Sequence, residues 1–158
     1  MEKAVMTEPI NPQQKLPIGI QTFRKIREAN YYYVDRTALA LKLIEEGTYY
    51  FLSRPRRFGK SLLLSTLASA FQGEKELFKG LYLEHNWDWS KQYPIIHLSF
   101  GGGGASSVDI LHQIIQFNLN SCAKQYDIQL SESYSPNRFG ELIQALYGKT
   151  GMPVVILI

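Results

Sequence analysis

Ser53-Arg54-Pro55-Arg56-Arg57-Phe58-Gly59-Lys60-Ser61 separates an apolar, aromatic run, Thr48-Tyr49-Tyr50-Phe51-Leu52, from a Leu-rich run that begins at Leu62. The first run consists of β-formers. The second repeats apolar residues at helical spacing through Leu63, Leu67, Ala68 and Phe71. Strand, loop and helix in that order are the setting of a phosphate-binding P-loop. Each residue of Gly59-Lys60-Ser61 has a physical task there: Gly59 lets the backbone come close to a phosphate, Lys60 supplies a cation, and Ser61 offers a hydroxyl to Mg²⁺. Arg57, Phe58 and Leu62 complete the nucleotide-binding segment, with backbone N–H groups at the helix N-terminus facing the anion. The expected ligand is ATP with Mg²⁺, the metal held by Ser61.

The match to G-x-x-x-x-G-K-[ST] is incomplete, because Arg54 stands where the first glycine belongs. Pro55 fits a loop, since proline cannot continue a central strand. The competing reading is a basic surface loop in which Gly59 ends a turn and Lys60 is solvated. Arg54, Arg56 and Arg57 suit phosphate oxygens, yet guanidinium forks bind carboxylates equally well.

A longer set of residues resembles one bacterial family. These are Leu16-Pro17-Ile18-Gly19-Ile20-Gln21-Thr22-Phe23-Arg24-Lys25-Ile26-Arg27-Glu28, Tyr33-Val34-Asp35-Arg36-Thr37, the loop with its preceding Tyr50-Phe51-Leu52, Phe71-Gln72-Gly73, Leu77-Phe78-Lys79-Gly80-Leu81-Tyr82-Leu83, and Pro94-Ile95-Ile96-His97-Leu98-Ser99-Phe100. They resemble the bacterial AAA-ATPase-like family, in which an ATPase domain is often joined to a C-terminal PD-(D/E)xK-type nuclease domain. In that family Arg-Pro-Arg-Arg-Phe-Gly-Lys-Ser is the usual form of the loop, so Arg54 is expected. The resemblance implies a P-loop NTPase-like α/β fold, three layers α/β/α around a parallel sheet. It also implies that Ile18, Gly19 and Ile20 lie where such domains contact the adenine ring, although ordinary packing accounts for them equally.

The run Pro153-Val154-Val155-Ile156-Leu157-Ile158 reads as a strand buried on both faces of a parallel sheet. The resemblance places an Asp-Glu pair, the Walker B acids, directly after it, and the sequence stops one residue short. Residues 16–158 are therefore expected to be the N-terminal part of the domain, incomplete at its C-terminus, with no catalytic residue of its own. Mg²⁺ and the attacking water need a carboxylate, so nucleotide binding is expected without hydrolysis. The family strand order further implies an empty slot between the P-loop strand and the last strand, and hence open edges prone to aggregation. The missing C-terminal half or a nuclease-like domain is the partner this implies.

Composition narrows the remaining classes. At 158 residues and 45% hydrophobic, the chain can bury one core of ordinary domain size. A net charge of +3, from 17 basic and 14 acidic side chains, neither demands nor excludes nucleic acid. No apolar run reaches the ~20 residues of a membrane helix, and Glu2 and Glu8 interrupt the N-terminus, so a cytoplasmic protein without membrane contact is expected. The single cysteine, Cys122, lies on an apolar helical face and reads as a reduced core residue.

Along the chain, residues 1–15 mix Pro9, Asn11, Pro12, Gln13 and Gln14 without periodicity and read as a disordered leader. Asp35 is placed to cap a helix with Leu39, Leu43 and Ile44 on one face, and Gly47 to end it in a left-handed conformation. The loop helix is expected to run to about Phe71 and close at Gly73. Ile95 to Phe100 reads as a second buried strand. Gly101 to Gly104 have neither phosphate-loop spacing nor a lysine and read as a flexible linker. Ser106 with Asp109 resembles a capping box opening a helix through Leu111, Ile114, Ile115, Leu119 and Cys122. Ser135-Pro136 opens another, with Phe139, Leu142, Ile143 and Leu146 facing the core.

His85, His97 and His112 have no metal-ligand spacing. Tyr31 to Tyr33, Trp87 and Trp89 are able to stack on bases, although such residues are ordinary in cores. Two alternatives therefore accompany the nucleotide-binding reading. One is a nucleic-acid-binding module built on the arginines at 54–57 and nearby aromatics. The other is a truncated, inactive remnant.

Overall fold

A computed structural model describes residues 14–101, 106–131 and 135–158. The chain divides into two compact units, Met1–Lys91 and Gln92–Ile158.

The first unit is helical. It contains α1 (Phe23–Glu28), α2 (Thr37–Glu46), α3 (Lys60–Phe71), a 3₁₀ turn (Lys75–Phe78) and α4 (Leu83–Asn86). Phe23, Phe78 and Leu83 are fully buried at its centre, with Leu41, Ala70, Leu77 and Leu81 around them. The aromatic rings interlock: Phe23 lies 4.8 Å from Phe78, Phe78 lies 5.0 Å from Trp89, and Tyr33 meets Phe23 edge-on at 5.1 Å. Trp87 and Trp89 thus pack against this core, which removes them from the candidates for base stacking.

The loop helix spans Lys60–Phe71 as its periodicity predicts, and Gly73 follows it at φ 75°. The expected strand at Thr48–Leu52 is not formed. The run makes no backbone hydrogen bond among the described residues, and Tyr49 and Phe51 are each 94% exposed. A strand needs a neighbour to receive its ladder, and the first unit holds no other strand among the described residues. Helix α2 also turns differently from expectation. It buries Thr37, Ala40 and Leu41, while Leu39 is exposed. Gly47 is extended at φ −169° rather than left-handed.

The second unit is a parallel pair of strands joined through two helices: β1 (Ile95–His97), α5 (Val108–Gln125), α6 (Ser135–Thr150) and β2 (Val155–Leu157). The strands align Ile95 with Val155, Ile96 with Ile156 and His97 with Leu157. Their ladder is extended by Val155 N–H donating to Pro94 O at 2.9 Å and Leu98 N–H to Leu157 O at 2.8 Å. Parallel neighbours need a long crossover, which the two helices supply. Ile96 and Leu98 pack on Leu119, Cys122, Ala123, Leu142 and Leu146 of those helices. Both strands are shorter than the apolar runs that encode them.

Helix α5 begins one residue later than the capping-box reading places it. Ser107, not Ser106, is the cap, its hydroxyl accepting the Ile110 N–H at 3.2 Å. Two side chains of α5 and its C-cap residue Tyr126 fasten the first strand and the segment after it. The Tyr126 hydroxyl accepts the Ile95 N–H at 2.8 Å, and the Cys122 thiol donates to the Ile95 carbonyl at 3.5 Å. Asn118 accepts from Ser99 N–H and donates to Ser99 O, both at 3.1 Å, standing in for a neighbouring strand. Burial pushes the Cys122 thiol up to about 11, which keeps it protonated and inert, as a core cysteine is expected to be.

The architecture is thus mixed α/β with a two-stranded parallel sheet. Of the leader expected at 1–15, residues 1–13 lie outside the described residues, as do the glycines at 102–104, whereas Gln14 donates to Asn30 Oδ1 at 2.8 Å and Lys15 O accepts the Tyr32 N–H at 2.9 Å, so these two are tied to the fold rather than disordered. Among those described, no helix is long and apolar enough to cross a membrane.

Candidate nucleotide-binding site

Helix α3 starts at Lys60 because the residue before it leaves the helical region. Gly59 is its N-cap at φ 77°, and Arg57, two residues earlier, stands at φ 67°. A Cβ placed on Gly59 would meet nothing within 4 Å. What glycine supplies here is the left-handed backbone, which other residues adopt only under strain.

The Lys60 side chain folds back over the loop. Its ammonium donates to Arg54 O at 2.5 Å and to Pro55 O at 2.8 Å. The loop is therefore closed into a ring, with the cation held at its mouth and still partly open to solvent. Arg54 enters this ring through its carbonyl, which every amino acid carries, rather than its side chain.

The amides of Lys60, Ser61 and Leu62 have no acceptor among the described residues, and no side chain caps the helix. Uncapped N–H groups, the positive end of a twelve-residue helix and an ammonium together make a site for an anion. Ser61 is exposed, so its hydroxyl is open to a cation or phosphate. Leu62 divides its roles: its side chain packs on the first unit's core while its amide faces the loop end of the helix. Phe58 is 63% exposed and Arg57 is exposed beside it.

Ile18 and Gly19 form the tip of a tight turn, with Ile20 N–H donating to Pro17 O at 3.3 Å and Gly19 at φ 76°. Ile18 is 89% exposed and Ile20 half-buried, so packing does not use Ile18. The turn is tied to α3 through Ser65, whose hydroxyl accepts the Phe23 N–H at 2.9 Å and stands 3.4 Å from Gln21 O. Turn and loop are thus carried by one helix.

Two further anchors escaped the sequence reading. Asp35 Oδ1 accepts from Thr37 N–H at 2.8 Å and from the Thr37 hydroxyl at 2.7 Å, while Oδ2 accepts the Tyr82 N–H at 2.7 Å. The Thr37 hydroxyl in turn accepts the buried Leu83 N–H at 3.1 Å. The N-cap position of α2 is Arg36 rather than the expected Asp35; Asp35, one residue ahead, accepts the first helical amide of α2 and also ties the helix to the start of α4. Arg27 reaches Leu77 O and Lys79 O at 2.8 and 2.5 Å. Burial lowers its pKa from the usual arginine value, yet a guanidinium stays charged.

A family model described as a predicted AAA-ATPase matches residues 17–158. The chain belongs to this AAA-ATPase-like family. The AAA-ATPase-like chain is also similar to the "Uncharacterized protein in vnfD 5'region" of Azotobacter chroococcum mcd 1, with 50% identity over 147 residues. That alignment takes in 92% of this chain and 28% of the relative's length. No solved structure matches it.

Proposed function

We propose that the chain binds ATP with Mg²⁺ through the variant Walker A loop, as the N-terminal part of an AAA-like ATPase domain of the P-loop type. The observation that carries this reading is the ring closed by Lys60 over Arg54 O and Pro55 O, directly ahead of three uncapped α3 amides. Lys60 would meet the β- and γ-phosphates, the amides of Lys60 to Leu62 would receive phosphate oxygens, and Arg57 would add a second cation. Ser61 would hold the metal, which supplies charge neutralisation between the phosphates when bound. Ile18, Gly19 and Ile20 offer an exposed apolar turn to the base.

The acidic pair that the resemblance calls for is not among these 158 residues. Nucleotide binding is the function proposed for these residues, and hydrolysis is proposed for the family domain as a whole. The discriminating experiment is titration of a fluorescent ATP analogue with and without Mg²⁺. Binding that strengthens with Mg²⁺ in the native protein and loses that dependence in Ser61→Ala supports the assignment. Metal-independent binding in both rejects it.

A further inference from the structure

Helix α1 is capped by another helix. Its own N-cap residue, Thr22, is of a type that favours that position and stands at φ −107°, ψ 120°, yet its side chain makes no capping bond. The first helical amide, Phe23 N–H, donates instead to the Ser65 hydroxyl of α3 at 2.9 Å, across 42 residues of chain. A hydroxyl has one proton, and Ser65 gives it to Leu62 O at 2.9 Å, with Gln21 O 3.4 Å away. One side chain therefore bridges the start of α1 to the first turn of α3, the turn whose amides face the anion site. Ser65 stands one helical turn beyond Ser61, about 6 Å along the axis from the residue proposed to hold the metal.

The exposed turn ahead of α1 depends on this bridge. On one side of it, Lys15 O accepts the Tyr32 N–H at 2.9 Å; on the other, Phe23 is fully buried against Phe78. Between these two fixed points, the hydrogen bonds of Leu16 to Gln21 among the described residues stay within the turn, apart from the approach of Gln21 O to Ser65. Packing adds little at the tip, where Ile18 is 89% exposed. Losing the Ser65 hydroxyl frees this segment without undoing α1, because Phe23 and Ile26 are fully buried and Arg27 still reaches Leu77 O and Lys79 O.

We propose that Ser65 is a positioning residue that holds the turn Pro17–Ile20 at a fixed distance from the phosphate loop, so that one nucleotide is gripped at its base and at its phosphates together. The inference rests on the nucleotide reading above and adds the residue through which base recognition depends on α3. In this role Ser65 touches neither base nor phosphate. Its loss loosens the base end alone, because Lys60 and the α3 amides keep their own arrangement.

The test is isothermal titration of the full chain with Mg-ATP and with magnesium tripolyphosphate, which carries the phosphates and no base. The native chain binds Mg-ATP about tenfold more tightly than tripolyphosphate. Ser65→Ala brings the two affinities within about twofold of each other while tripolyphosphate binding is unchanged, and Ser65→Thr, which keeps the hydroxyl, retains the native ratio. Alanine is the better helix former, so α3 persists in the variant, and melting followed by tryptophan fluorescence verifies that each protein is folded. A merely structural role for Ser65 lowers both affinities together. Equal affinities in the native chain, an unchanged ratio in Ser65→Ala, equal losses for both ligands, or a ratio lost in Ser65→Thr as fully as in Ser65→Ala overturns the inference and leaves the loop reading standing. No binding of either ligand by the folded native chain overturns the loop reading itself, and the inference with it.

Discussion

Replacing Asp35 by alanine removes three hydrogen bonds, two to Oδ1 and one to Oδ2, and the cost follows from where each donor sits. Thr37 is fully buried, so its amide and hydroxyl lose a charged partner with no water to replace it. The Tyr82 amide, 2.7 Å from Oδ2, lies at the surface and regains water. Bonds to a charged acceptor contribute about 1.5–3 kcal/mol each, and an orphaned buried donor costs about 1–3 kcal/mol. With the exposed bond discounted, Asp35→Ala should destabilise the first unit by roughly 2–4 kcal/mol. For a chain of this size that is a fall in Tm of about 5–15 °C. The assay is thermal denaturation followed by tryptophan fluorescence, since both tryptophans pack on the first unit's core and report on it alone. Asp35→Asn keeps one oxygen but turns an amide nitrogen toward a donor, so its loss should be intermediate, about 1–2 kcal/mol. A variant Asp35→Ala melting within about 1 °C of the native protein, a shift corresponding to less than about 0.5 kcal/mol, would refute the reasoning that the Asp35 clasp joins α2 to α4.

Three other outcomes follow from named contacts. Tyr126→Phe leaves the Ile95 N–H without its 2.8 Å acceptor, and should cost about 1–3 kcal/mol, measured by urea denaturation. The Cys122 thiol sits at about 11 in the fold against 9.0 for an ordinary thiol. A raised value means the unfolded chain gives up its proton first, so this group's contribution is intact below pH 9 and is lost as pH rises toward 11. The alkaline fall in Tm over that window should be shallower in Cys122→Ala, and equal slopes would contradict the assignment. Gly59→Ala forces a Cβ onto φ 77° with open space around it. It should therefore destabilise by about 1–2 kcal/mol through backbone strain alone while weakening ATP binding, checked by calorimetry and melting on the same sample.

The parts of the fold legible in the sequence were those fixed by neighbours along the chain. The loop helix ends at Phe71 because periodicity and Gly73 both say so, and α6 begins at Ser135 as Ser-Pro indicates. Cys122 is buried because its helical face is apolar. What failed depended on remote partners. Thr48–Leu52 has every local mark of a strand, yet a ladder is a property of two segments, and the first unit offers no second one. Which face of α2 is buried was set by its packing on α3 and α4 rather than by its own pattern, so Leu39 is outside and Ala40 inside. The Asp35 to Tyr82 bond spans 47 residues and left no local trace. At the site, the residue types Gly59, Lys60 and Ser61 were readable, whereas the acceptors of Lys60 were not. They are main-chain carbonyls, and the side chains of Arg54 and Pro55 say nothing about them.

The central claim is that the ring closed by Lys60 receives a magnesium-bound triphosphate. Isothermal titration of Mg-ATP into the native chain and into Lys60→Ala tests it directly. The account predicts saturable 1:1 heat for the native chain and at least a tenfold loss of affinity in the variant, the equivalent of about 1.4 kcal/mol. Equal binding by the two folded proteins, or no heat from either, would contradict it.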